Sequence, residues 1–276
     1  MKTIMRNTVI AALLVVSASA YAGRGGSLGK IQSAVESGSW DAIVAETERA
    51  EKLSCGGCGV IMQTLIDHPD YRVREVAAWW IAKRPGMRAK VRDLMINRLK
   101  TQSGVYARNA ADVLGAFMNP EAVAPLGVAL ARTDLAPEAR VAAVNALGFI
   151  AHKVAMPILD RAATDADANV RRAAVAVIRD VRDITSSQAA RAAIADSDAN
   201  VRFEAVMTVG RLRDVQARSA LEGALRDGDA RVRENAAWAL GELGDRASYP
   251  ALLAVRDGDA SVVVRHIAAV AIRNLK

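Results

Sequence analysis

One stretch of this chain recurs at nearly constant spacing, and any fold must give each copy equivalent surroundings. It reads DANVRRAAVAVI over residues 167–178, DANVRFEAVMTV over 198–209 and DARVRENAAWAL over 229–240. With the Arg as marker, the column runs Arg74, Ala107, Arg140, Arg171, Arg202, Arg233 and Arg265, in steps of 33, 33, 31, 31, 31 and 32 residues. Only the second member is not Arg, and there Arg108 lies one place on. Three residues past the marker stands Ala in every copy: Ala77, Ala110, Ala143, Ala174, Ala205, Ala236 and Ala268. Seven past it stand Ile81, Leu114, Leu147, Ile178, Val209, Leu240 and Ile272. Offsets of three and seven share one face of a helix. Each copy therefore holds a helix that packs closely through Ala and anchors through an aliphatic side chain. Composition alone would scatter Ala among columns, whereas forcing a larger side chain into a packed site costs about 1–3 kcal/mol.

Hydrophobic residues make up 52% of the 276-residue chain but aromatic ones only 4%. That balance suits thin layers of short helices rather than one thick core. The pattern predicts helix pairs: 121–132 with 141–151, 155–163 with 170–181, 187–195 with 201–212, 216–226 with 232–243, and 249–255 with 263–275. Upstream, a basic amphipathic helix over 87–100 precedes a signature helix over 105–118. The expected fold is all-α, about seven stacked helix pairs. Asp-rich turns separate the helices of the later pairs: TDADAN, DSDAN, DGDAR and DGDAS. They lack the 12-residue ligand pattern and closing Glu of a calcium loop. Helix N-capping by Asp explains them better. The Asp of D-x-x-V-R is also placed to accept from the Arg of a neighbouring repeat. The ladder so predicted comprises Arg74, Arg140, Arg171, Arg202, Arg233 and Arg265 with Asp167, Asp198 and Asp229.

The start of the chain reads as an address. Lys2 and Arg6 precede an apolar run over 9–16, and Ala20-Tyr21-Ala22 offers small side chains where a signal peptidase needs them. The run is too short to anchor in a bilayer. Residues 1–22 are thus expected to be a signal peptide cleaved after Ala22, with export to the periplasm and no membrane insertion afterwards. Without them, 35 basic residues face 30 acidic ones, a net charge of +5. Arg and Asp alternate through the repeats rather than forming a basic stripe, which argues against a nucleic-acid partner.

Residues 23–58 read as a leader and an N-terminal helical cap ending in CxxC. Helices are predicted over 28–37 and 41–53, with Asp41 as a candidate N-cap of the second. Terminal units of stacked arrays are often atypical because one face meets water. Cys55 and Cys58 are the only cysteines. In an exported chain such a pair reads as a disulfide. A redox-active pair is the sharper alternative, and half a zinc site the third. Gly59 stands where covalent haem attachment would need His. In the first repeat, Trp79 and Trp80 are followed by Lys83 and Arg84, and one exposed Trp is expected.

The segments DANVRRAAVAVIRDV and DARVRENAAWALGELGD resemble HEAT repeats of the short form named after phycobilisome lyases, and the resemblance extends over about residues 59–276. It implies a right-handed α-solenoid whose concave face is lined by the second helix of each pair, in a class whose members mostly hold other proteins. Some relatives are enzymes. Deoxyhypusine hydroxylases carry repeated His-Glu pairs that bind iron, but here His68, His152 and His266 are followed by Pro69, Lys153 and Ile267. Nothing marks a bilin site, and an export signal argues against a DNA glycosylase.

Residues one, two and five past the Arg column vary while their neighbours are fixed, which points to surface rather than packing. They include Glu75, Arg108, Arg172, Phe203, Glu234 and His266; Asn109, Glu204 and Asn235; and Trp79, Asp112, Asn145, Met207 and Trp238. On a concave face they would form a mixed polar groove with aromatic and Met anchors, suited to a protein or peptide. No converging nucleophile, base or metal ligand set accompanies them. The expected function is a non-catalytic, monomeric periplasmic scaffold with no cofactor. The alternatives are a redox accessory protein using Cys55 and Cys58, or a lyase-like protein by fold analogy.

Overall fold

The computed structural model describes residues 28–52, 55 and 57–275; the signal-peptide and leader expectations for residues 1–27 lie outside them. No strand occurs among the described residues. Contacts divide the chain into two compact units, residues 1–91 and 92–276.

The first unit holds α1 (Leu28–Glu36), α2 (Trp40–Lys52), α3 (Cys58–Leu65), α4 (Tyr71–Ala82) and the start of α5 (Pro85–Thr101). Helix α1 packs on α2, α3 on α4, and α2 on α4. Ile31, Ile43, Met62, Ile66 and Ile81 are fully buried between them. The cap of α2 is Ser39, whose Oγ accepts from the Ala42 N–H at 3.3 Å, not Asp41, which lies inside the helix. Asp70 caps α4 by accepting from the Arg72 N–H.

The second unit is a solenoid of helix pairs. After α6 (Gly104–Ala116), the pairs are α7 (Val123–Leu130) with α8 (Pro137–Ile150), and α9 (Met156–Ala162) with α10 (Ala168–Ile178). Then come α11 (Gln188–Ala192) with α12 (Ala199–Leu212), α13 (Arg218–Ala224) with α14 (Ala230–Leu243), and α15 (Tyr249–Gly258) with α16 (Val262–Asn274). Each second helix packs on its own first helix and on the second helix of each adjoining pair, and α8 also packs on α6. The first helices are shorter than the second, and most enter through a 3₁₀ turn that the helical period does not show.

The alanine column is buried throughout: all seven residues are 0% exposed. Of the aliphatic column, Ile81, Leu114, Leu147, Ile178, Val209 and Leu240 are fully buried, and Ile272 is half-buried. Asp167, Asp198 and Asp229 cap α10, α12 and α14, accepting backbone N–H groups of the first turn. Helices α8, α12 and α14 are each 14 residues long and end on a left-handed residue: Ala151, Arg213 and Gly244. Helix α10 stops after 11 residues and has no such end, because Arg179 stays right-handed.

Candidate functional site

Second helices are joined at two places, and both joints constrain what their remaining face can present. The first is at their N-terminal ends. Arg171 donates to both carboxylate oxygens of Asp196, at 2.8 and 3.0 Å. Arg202 does the same to Asp227, and Arg233 to Asp259. Arg140 reaches Asp165 through one nitrogen at 3.0 Å. The other edge of each bidentate guanidinium holds its own repeat together; Arg202 Nη1, for example, donates to the Asp196 and Ser197 carbonyls.

A ladder therefore exists, but its acceptors are not the predicted ones. Asp167, Asp198 and Asp229 cap their helices, and the aspartates two residues earlier accept the arginines. Both acids of each D-x-D are used: Asp227 Oδ1, for instance, also accepts the Asp229 N–H at 2.8 Å. The arginine bonds, first, hold the carboxyls of Asp196, Asp227 and Asp259 below the ordinary range.

The break in the Arg column is repaired from elsewhere. Arg108 does not stand in for Ala107; it donates to Asn109 at 3.2 Å. Arg132 arrives instead from the following repeat. Its Nη1 donates to the Leu99 and Gln102 carbonyls at 2.7 and 2.6 Å, and its other edge pairs with Asp134. At the remaining members, Arg74 donates to the His68 and Pro69 carbonyls and Arg265 to those of Asp259 and Ala260.

The second joint lies eight residues past the Arg column, where Gly115, Gly148, Gly210 and Gly241 stand. A Cβ at Gly115 would come within 2.8 Å of the Ala146 Cα, and one at Gly241 within 2.8 Å of the Ala271 Cα. At Gly148 it would meet Val177, and at Gly210 both Ala239 and the Trp238 ring. At Gly115, Gly210 and Gly241 the facing backbone itself comes this close, and at Gly148 the Val177 side chain fills the space, so no joint leaves room for even an alanine.

The open face of the second unit follows. Arg172, Asn145 and His266 are exposed; Arg108, Asp112, Phe203, Met207, Glu234 and Trp238 are half-buried. Successive second helices bring these residues side by side. Trp238 is a fixed plate, its ring lying against Gly210 of the preceding helix. The Arg231 guanidinium sits 5.8 Å from the Phe203 ring.

The column two past the Arg lies about 100° around the helix from the column one past it, and its members differ in exposure. Asn109 is 1% exposed. Glu204 accepts from Arg179 at 2.8 Å, and Asn235 donates to the Arg231 carbonyl. Trp79 lies in the first unit, half-buried, with Lys83 Nζ 4.3 Å from its ring centre and 3.1 Å from Glu51. Trp80 is buried beneath Arg84, whose guanidinium burial pushes below its usual pKa.

Cys55 and Cys58 lie together at the start of α3, Cα atoms 5.6 Å apart, with Cys58 fully buried. Among the described residues no three His, Cys, Asp or Glu side chains converge to hold a metal ion. Among them, too, no helix is long and apolar enough to cross a membrane.

A profile of HEAT repeats matches residues 187–273. Among solved structures, the YibA protein of E. coli is similar with a TM-score of 0.55 at 16% identity, over 89% of this chain and 92% of that one. Kap95p, in a structure with RanGDP, gives 0.57 at 14% identity over 97% of this chain and 40% of its own. An engineered protein gives 0.50 at 17% identity over 96% and 83%. The search of curated proteins found no match. The buried Ala and Gly columns and these likenesses show an all-α solenoid fold, within which residues 187–273 match HEAT repeats.

Proposed function

We propose that this protein is a non-catalytic scaffold, exported to the periplasm, that holds a protein or peptide on the second-helix face of its second unit. One observation carries the reading. Residues three past the Arg column are buried in every repeat and the Gly positions eight past it are taken up by packing, whereas those one and five past it stand half-buried or exposed and vary in chemistry from repeat to repeat. Phe203, Met207 and Trp238 supply apolar anchors among Arg172, Glu234 and His266, the mixture of aromatic and polar groups typical of protein interfaces. The targeting part rests on residues 1–22 alone. Cys55 and Cys58 serve in this reading as a structural disulfide beside the first repeat.

The test compares capture from a periplasmic extract by the parent chain and by a variant carrying Glu234→Arg with Trp238→Ala. The reading predicts that a partner held by the parent is lost by the variant at unchanged helicity. Equal capture by both would remove this face from the account.

A further inference from the structure

One joint of the second unit breaks the pattern of the others. Eight residues past Arg171 stands Arg179 in place of Gly, and the helix it follows, α10, has lost its last turn. The position it faces is Thr208, not the Ala or Val met by Gly115, Gly148, Gly210 and Gly241. The Arg179 side chain is 10% exposed and lies between α10 and α12. Its Nη1 donates to Glu204 at 2.8 Å and to Thr208 Oγ1 at 3.4 Å; its Nε is buried without a partner. Thr208 Oγ1 donates in turn to the Val175 carbonyl at 2.9 Å. Beyond Arg179 the chain runs through residues 180–187 before α11, with Asp183 at φ 60°. That is more slack than α8, α12 or α14 leave before their next turn.

We propose that the α10/α12 joint is where the second-unit stack opens, pivoting on the Arg171–Asp196 pair. An array of repeats is held by nearest-neighbour contacts, so it parts first at its weakest interface. Opening a Gly joint exposes apolar surface to water. Opening this one returns a buried ion pair and a hydroxyl to water, which solvates them at once and satisfies the orphaned Nε. The bidentate Arg171–Asp196 bond at the N-terminal ends of the same helices stays closed and keeps the register.

Amide hydrogen exchange on the full chain tests this. Amides of α10 are expected to exchange at least tenfold faster than those of α8 and α14. Replacing Arg179→Gly together with Thr208→Ala, which installs the ordinary joint, should slow α10 at least tenfold and leave α14 within twofold. Glu204→Gln, which removes the buried counter-charge, should speed α10 further. Equal exchange in α8, α10 and α14 of the parent, or an α10 rate indifferent to the double variant, overturns the proposal. Should the double variant lose its helicity, an α10 rate unmoved by Glu204→Gln overturns it equally.

Discussion

The two ends of the second helices are held by opposite means. At the N-terminal end a charged fork reaches across to the next repeat; at the C-terminal end the absence of a side chain lets backbones meet. The fork tolerates replacement from another position, as Arg132 shows by occupying the interface that Ala107 leaves unserved. The glycine seat tolerates no such borrowing, because nothing supplied from elsewhere can make a side chain smaller. Where the glycine is missing, at Arg179, the whole joint is rebuilt in polar form. Direction and register are therefore set by polar bonds, and closeness by steric room.

Perturbing the two ends should separate these roles. The largest effect belongs to the seat. Gly241→Leu drives a side chain against the Ala271 backbone and should cost about 3 kcal/mol in urea unfolding. Gly223→Ala, on a first helix with nothing within 4 Å, should instead stabilise by about 0.5–1 kcal/mol. At the fork, Asp227→Ala strands Arg202 and should cost about 2 kcal/mol. Asp229→Ala removes a helix cap and a largely exposed pair with Arg231, and should cost less. The reverse ranking would restore the acceptor register read from the sequence.

Acid should act on the fork and on the caps Asp70 and Asp229, whose carboxyls the bonds from Arg72 and Arg231 hold at about 2. The folded carboxyls of Asp196, Asp227 and Asp259 lie below the unfolded value of about 3.9. A depressed carboxyl contributes stability that is complete above its unfolded pKa and is lost as pH falls through the folded one. Thermal stability should therefore fall below about pH 4. That fall should be shallower in Asp227→Ala than in the parent, since one titrating partner is gone.

Much of this was legible beforehand. The Arg–Ala–aliphatic offsets located every second helix within a few residues and identified the seven alanines that are buried. The ladder was legible as a ladder but not in register, because each turn offers two aspartates and only geometry separates cap from acceptor. Arg132 was illegible, since it lies 25 residues beyond the gap it fills and belongs to no column. The glycine seat stands at a constant offset, but a glycine within a helix does not by itself tell a close approach from a mere gap in the side chains, as Gly223 shows. Asn109 was misread as surface because variability in a column does not distinguish exposure from a packing site with its own local solution.

Deleting residues 229–260 tests the stacking account most directly. The cut joins Gly228 to Ser261, so the acid–x–cap spacing survives, Arg202 keeps Asp227, and Gly210 is offered Ala271 as its new seat. The account predicts a shorter chain that retains its helicity per residue and unfolds in one cooperative transition at lower temperature. A product without a cooperative transition would show that the repeats are not interchangeable layers.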